Sequence, residues 1–232
     1  MSVQEGSRLR RLAARPALRE TAAPPPERQD ERCELCGEPL EPSHRHVLDL
    51  VERGLLCACR ACSILFDRSA AGGGHYRLIP DRSRLIVDFD LDEIQWQAFG
   101  IPVDMAFFFR NSSLERMAAF YPSPVGATES ALSLDAWGDL EARNPVLETL
   151  EPDVEALLVN RAKGAREHWL VPVDACYRLV GLIRTRWKGL AGGDEVWIEL
   201  DEFFGELRRR GEATTRDGKE AKWPGSRSEN PT

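Results

Sequence analysis

Six cysteines punctuate the 232 residues, and five of them fall between Cys33 and Cys62. Two pairs share one spacing: Cys33-Glu-Leu-Cys36, followed by Gly37, and Cys59-Arg-Ala-Cys62. Thiolates at that spacing can turn toward a single ion. Glycine just after the second cysteine lets the turn adopt positive φ and aim backbone amides at sulfur. The 22 residues between Cys36 and Cys59 suffice for strands to cross between two such knuckles. The pattern predicts one tetrahedral zinc per chain, held by Cys33, Cys36, Cys59 and Cys62 at about 2.3 Å. A site closed by four thiolates leaves no position for water or substrate, so it is read as structural. The rival reading places iron at the same cysteines, rubredoxin-like or as an iron–sulfur cluster.

Cys57 is surplus to this scheme. In an extended segment it shares a face with Cys59, so a Cys57-x-Cys59 chelate is an alternative register. Cys59-x-x-Cys62 repeats the upstream geometry, however, and leaves Cys57 in the strand entering the knuckle as a small buried hydrophobe. A redox role is the third option. His44 and His46 lie between the knuckles; they read as solvated or hydrogen-bonded, with replacement of a thiolate as the alternative.

The apolar content around the knuckles is thin, and about 45 residues rarely stabilise themselves without a staple. Beyond Gly72-Gly73-Gly74 the segments are larger. Strands are predicted over 76–79, 85–89, 154–159 and 168–171. Met105–Arg110 and Leu114–Tyr121 read as a hairpin around Asn111-Ser112-Ser113, with a helix capped by Ser112 and Glu115 as the rival. Helices are predicted over 91–99, 134–143, 172–188 and 196–210. The clearest is 172–188, with Val173, Cys176, Tyr177, Val180, Ile183 and Trp187 at three- and four-residue steps. Pro172 suits its first turn, and Asp174 the positive end of its dipole. Mixed strands and helices without strict βαβ alternation indicate α+β. The expected organisation is a tail over 1–31, a zinc-ribbon-like module over 32–72, an α+β domain over 73–210 and a second loose tail over 211–232.

Other candidate sites carry weaker patterns. Asp88-Phe-Asp90-Leu-Asp92-Glu93 fails as an EF-hand, because Glu93 stands where glycine is needed and Phe99 where the bidentate glutamate is needed. It reads as a strand edge and helix cap. Gly72-Gly73-Gly74-His75 has no following Lys-Ser/Thr, so it is a linker and not a phosphate loop. Cys176 falls on the apolar face of its helix and reads as core. His168 has no Ser or Asp partner by spacing. The 122–130 stretch is a small-residue, hydroxylic loop, with Thr128 and Glu129 as candidate binding residues.

The net charge of −7, with 42% hydrophobic and 30% charged residues, fits a globular chain and argues against a general nucleic-acid binder. No run of apolar residues reaches membrane-spanning length, and the N-terminus lacks the apolar core of a signal peptide. The expected compartment is a reducing cytoplasm, where clustered cysteines bind metal more often than they form disulfides. The sequon at Asn111 has no meaning there.

The segments Asp153-Val-Glu-Ala-Leu-Leu-Val-Asn-Arg161, Leu170-Val-Pro-Val-Asp-Ala-Cys-Tyr-Arg-Leu-Val-Gly-Leu-Ile-Arg184, Trp187-Lys-Gly189 and Gly192-Gly193 resemble an actinobacterial family of unknown function often encoded in nickel–iron hydrogenase gene clusters. The likeness spans about residues 33–207. It brings no assigned catalytic residues. It implies an accessory, maturation or assembly role, with a nickel–iron hydrogenase subunit or maturation factor as the protein partner. An electron-transfer accessory protein using iron at the same cysteines is the alternative. No acid/base or nucleophile constellation supports an enzyme.

Overall fold

A computed structural model describes residues 31–66, 74–131, 133–188 and 192–224. The expected N-terminal tail up to residue 30, Gly72, Gly73, Gly189 and everything after residue 224 lie outside the described residues. The elements in chain order are β1 (Arg45–Asp49), β2 (Gly54–Ala58), α1 (Arg60–Leu65), β3 (Tyr76–Leu78), β4 (Arg84–Ile86), α2 (Glu93–Ala98), β5 (Met105–Asn111), β6 (Arg116–Ser123), β7 (Gly126–Ser130), α3 (Leu134–Arg143), β8 (Glu155–Asn160), β9 (Glu167–Pro172), α4 (Val173–Arg186), α5 (Asp194–Arg210) and β10 (Glu212–Thr214). The fold is α+β, as expected.

Three consecutive phenylalanines cannot all face one side of a strand, since side chains alternate. On β5, Phe107 and Phe109 enter one core while Ala106 and Phe108 enter another, and all four are buried. β8 repeats the device: Ala156 and Leu158 face the first core, Leu157 and Val159 the second. Both strands are therefore central. They lie in a seven-stranded sheet of order β10-β4-β9-β8-β5-β6-β7, antiparallel except for the β10–β4 pair. Helices α4 and α5 supply the first core with Cys176, Leu179, Val180, Ile183, Phe203 and Phe204. Helices α2 and α3 cover the opposite face with Trp96, Trp137 and Leu140. The sheet is the middle of three layers.

A second sheet, β2-β1-β3, carries the cysteine-rich region. Its third strand, β3, comes from beyond the glycine run. Leu48 is buried in the first core, and Leu50 and Leu55 pack against it. The small sheet is thereby joined to the α4 side of the large one.

The 105–121 hairpin forms, and the rival helix does not. Pairing runs Phe107↔Phe120 to Asn111↔Arg116, closed by Glu115 at positive φ. Two expectations need correction. Residues 122–130 are not a loop: β6 continues to Ser123 and β7 returns against it, with Tyr121↔Thr128 paired. Thr128 Oγ1 lies 3.1 Å from Ser123 Oγ, and Glu129 pairs with Arg116 at 2.7 Å, so both candidate binding residues serve the hairpin. Nor is the chain loose directly after Gly211. β10 joins the sheet beside β4, and Trp223 lies 6.0 Å from Trp169. A Cβ at Gly211 would sit 2.7 Å from the Leu207 carbonyl and 2.8 Å from Trp169, so this turn from α5 into β10 admits only glycine. The segment's polarity misleads because one edge strand buries little: Ala213 and Thr214.

Two buried ionisable groups, Asp153 and His168, bear on stability. Asp153 has positive φ and a fully buried carboxylate, which accepts from the Ser112 amide at 3.0 Å and from Arg53 Nη1 at 3.5 Å. Arg53 lies in the β1–β2 turn, so Asp153 ties the small sheet to the large one. Asp153→Ala is expected to cost about 3 kcal/mol in denaturant unfolding, because it strands these donors and puts alanine in a left-handed conformation. Asn tolerates that backbone, so Asp153→Asn should cost less.

His168 on β9 stacks on Phe89 at 4.5 Å between ring centroids. Burial, with help from Arg161 and Arg166, pulls its pKa from 6.5 down to about 4. The unfolded chain therefore takes up a proton that the folded chain refuses. Stability is unaffected above about pH 6.5 and falls as pH drops toward 4, by a total on the order of 3 kcal/mol. His168→Phe should flatten stability against pH over that window, measured by unfolding at stepped pH.

Candidate metal centre

The first knuckle is shaped by backbone bonds. The Cys33 amide donates to the Glu38 carbonyl at 2.8 Å and the Gly37 amide to the Cys33 carbonyl at 2.7 Å, while Gly37 sits at φ 79°. That left-handed φ is the conformation expected of the residue after Cys36. In the second knuckle, Cys59 caps α1: its sulfur accepts from the Cys62 amide at 3.5 Å. The β1–β2 hairpin carries one knuckle back to the other, with register Arg45↔Ala58 through Asp49↔Gly54.

These elements bring the sulfurs of Cys33, Cys36, Cys59 and Cys62 within 4.8 Å of one another. Cys36 Sγ and Cys59 Sγ are 3.6 Å apart. A tetrahedron with metal–sulfur bonds of about 2.3 Å has edges of about 3.8 Å, so the donor set and its spacing fit a metal ion. Cys33 and Cys59 are buried, Cys62 is half-buried and Cys36 is exposed. The protonation states conflict without a cation. Burial opposes ionisation of Cys33, yet backbone hydrogen bonds from Cys59, Leu35 and Cys36 bring it down to about 6. Burial and the neighbouring sulfurs push Cys62 up to about 12. A bound divalent ion resolves the conflict by replacing the protons.

Cys57 is outside this group and differs from expectation. It is half-buried rather than buried, and its sulfur lies within 4.8 Å of ligand-capable nitrogens of His44 and His46. His46 is directly opposite Cys57 in the hairpin. His46 Nδ1 bonds Asp174 Oδ2 at 2.7 Å, and His44 Nδ1 bonds the Glu41 carbonyl at 3.0 Å. The Cys57 backbone is pinned to the first knuckle on both sides: its amide donates to Glu34 Oε2 at 2.6 Å, and its carbonyl accepts from the Glu34 amide at 3.0 Å. The sequence pairs His44 with His46 but gives no sign that Cys57 joins them. The strand pairing opposite His46 and the contact with Asp174, 128 residues away, bring them together.

The remaining candidates have structural roles. Asp92 caps α2 by accepting from the Gln95 amide, Asp88 accepts from the Arg216 amide, and Glu93 pairs with Arg161. Cys176 is buried in the first core, and burial drives its thiol well above the ordinary range. Among the described residues, no helix is long and apolar enough to cross a membrane.

Metal binding at the four sulfurs requires displacement of protons, so affinity must fall with acidification. Release of bound metal to a chromogenic chelator is expected to increase as pH is lowered from about 7 to about 5, and metal-free protein should melt at a lower temperature than metal-loaded protein.

No curated protein and no solved structure matches the chain. A family model does, over residues 32–211, which covers the small sheet, the large sheet except β10, and helices α1 to α5. By that match the chain belongs to the family of unknown function DUF5947.

Proposed function

We propose that this protein is an accessory factor that works by binding a protein partner in the cytoplasm, with one structural zinc held by Cys33, Cys36, Cys59 and Cys62. The observation that carries this reading is the closed donor set. Four thiolates saturate a tetrahedral ion and leave it no position for substrate. The ion's contribution is then to the folded state. Zinc binding to such sites supplies on the order of 10 kcal/mol, which a thin core of this size needs. Zinc is favoured over other ions because it takes tetrahedral thiolate coordination without geometric strain. The partner is a nickel–iron hydrogenase subunit or maturation factor; the support for this is the resemblance of the 153–193 strings to proteins from such gene clusters.

The test is affinity capture of tagged full-length protein from its native host, with metal analysis of the same sample. Zinc without visible charge-transfer absorption, together with a co-purifying hydrogenase subunit or maturation factor, is the expected result. Iron with visible bands would replace the structural reading with electron transfer. Zinc with no hydrogenase component would remove the partner assignment while retaining the metal.

A further inference from the structure

The three residues beside the four-cysteine cluster have the chemistry of a second metal site. His44, His46 and Cys57 each offer a ligand atom, all within 4.8 Å of one another. Their identities, two imidazoles and a thiol, suit a borderline divalent ion such as zinc or cobalt. The rings meet edge to face at 5.1 Å between centroids.

Each histidine is held by its Nδ1. In His46 that nitrogen faces the Asp174 carboxylate at 2.7 Å, the carboxylate–histidine arrangement that orients metal-ligating imidazoles and raises their basicity. In His44 it faces the Glu41 carbonyl at 3.0 Å, which as an acceptor requires the proton on Nδ1. Both bonds fix the orientation of the ring, and a neutral imidazole that donates through Nδ1 carries its lone pair on Nε2. The Cys57 backbone is held as well, by its two bonds to Glu34 and the direct pairing with His46.

These residues line a cleft of about 540 Å³, which also includes Asp174 and Tyr177 of α4 and Arg210 of α5. Three protein donors at the wall of a cleft differ from the four-cysteine cluster in one decisive respect. A tetrahedral ion on them retains a fourth position, turned toward the cleft and open to water or a small donor ligand.

We infer that His44, His46 and Cys57 bind a second divalent transition-metal ion, of zinc-like preference, with an open coordination position in this cleft. The site is independent of the hydrogenase reading, because metal stoichiometry in the isolated chain does not depend on a partner. It also gives Cys57 a function that a four-cysteine ribbon leaves unassigned.

The test is titration of reduced, metal-free full-length chain with Co²⁺, then displacement by Zn²⁺, read by d–d and thiolate charge-transfer absorption. Wild type is expected to take up two equivalents with distinct spectra. One is characteristic of four thiolates and the other of one thiolate with imidazoles. Cys57→Ser and His44→Gln should each reduce uptake to one equivalent. They should keep the four-thiolate spectrum, and that retained spectrum is itself the control for folding. Uptake of a single equivalent by wild type, or of two equivalents by both variants, would overturn the proposal. A variant that fails to fold is replaced by the other, since each removes one donor of the same site.

Discussion

Mutual repulsion among four converging sulfurs is the constraint on which the cysteine-rich region depends. Thiolates within 4.8 Å of one another cannot all ionise without a cation between them, and the opposed shifts at Cys33 and Cys62 express that conflict. An ion that satisfies all four sulfurs also clamps the ends of the β1–β2 hairpin. The hairpin register brings the two knuckles together. That register sets Cys57 opposite His46 and turns the histidine toward α4. Glu34, inside the first knuckle, physically links that knuckle to Cys57.

The large sheet supplies the rigid half of this arrangement. Its central strands are apolar on both faces, so helices must cover both, and the sheet has little freedom to shift. Asp174 is therefore presented at a fixed place, in the first turn of a helix that packs across the sheet. The small sheet is fastened beside it by several polar ties as well as by Leu48. Arg77 donates to the Pro152 carbonyl at 2.6 Å, His46 bonds the Asp174 carboxylate at 2.7 Å, and Arg53 reaches Asp153. Backbone carbonyls and a buried carboxylate are directional acceptors, so these ties specify orientation in a way that apolar burial alone does not.

Much of this was legible in the chain, and the failures have identifiable physical causes. Helices α3, α4 and α5 announced themselves through periodicity and through their breakers, Asn144-Pro145 and the glycines after Trp187. The phenylalanine run and Asn111-Ser112-Ser113 predicted the β5–β6 hairpin over the competing Ser112–Glu115 cap, because a strand buried on both faces rewards three consecutive aromatics. The segments 122–130 and 212–214 were misread because edge strands bury few side chains, so their composition matches that of loops. Pro122 strengthened the error; its ring is tolerated on a strand near the sheet's edge.

The sequence by itself picked out the four cysteines whose sulfurs converge, since two equal spacings and a following glycine encode local turn geometry that needs no tertiary context. It also determined the α+β class, through periodicities that are properties of single elements. Only the tertiary structure decided the position of Cys57. Strand register pairs it with His46, and packing of the small sheet on α4 delivers Asp174 to the same histidine. Both are contacts between residues distant along the chain, and such contacts leave no mark in local spacing. That is why a residue that reads as surplus to the four-cysteine set stands, in the folded protein, beside two histidines.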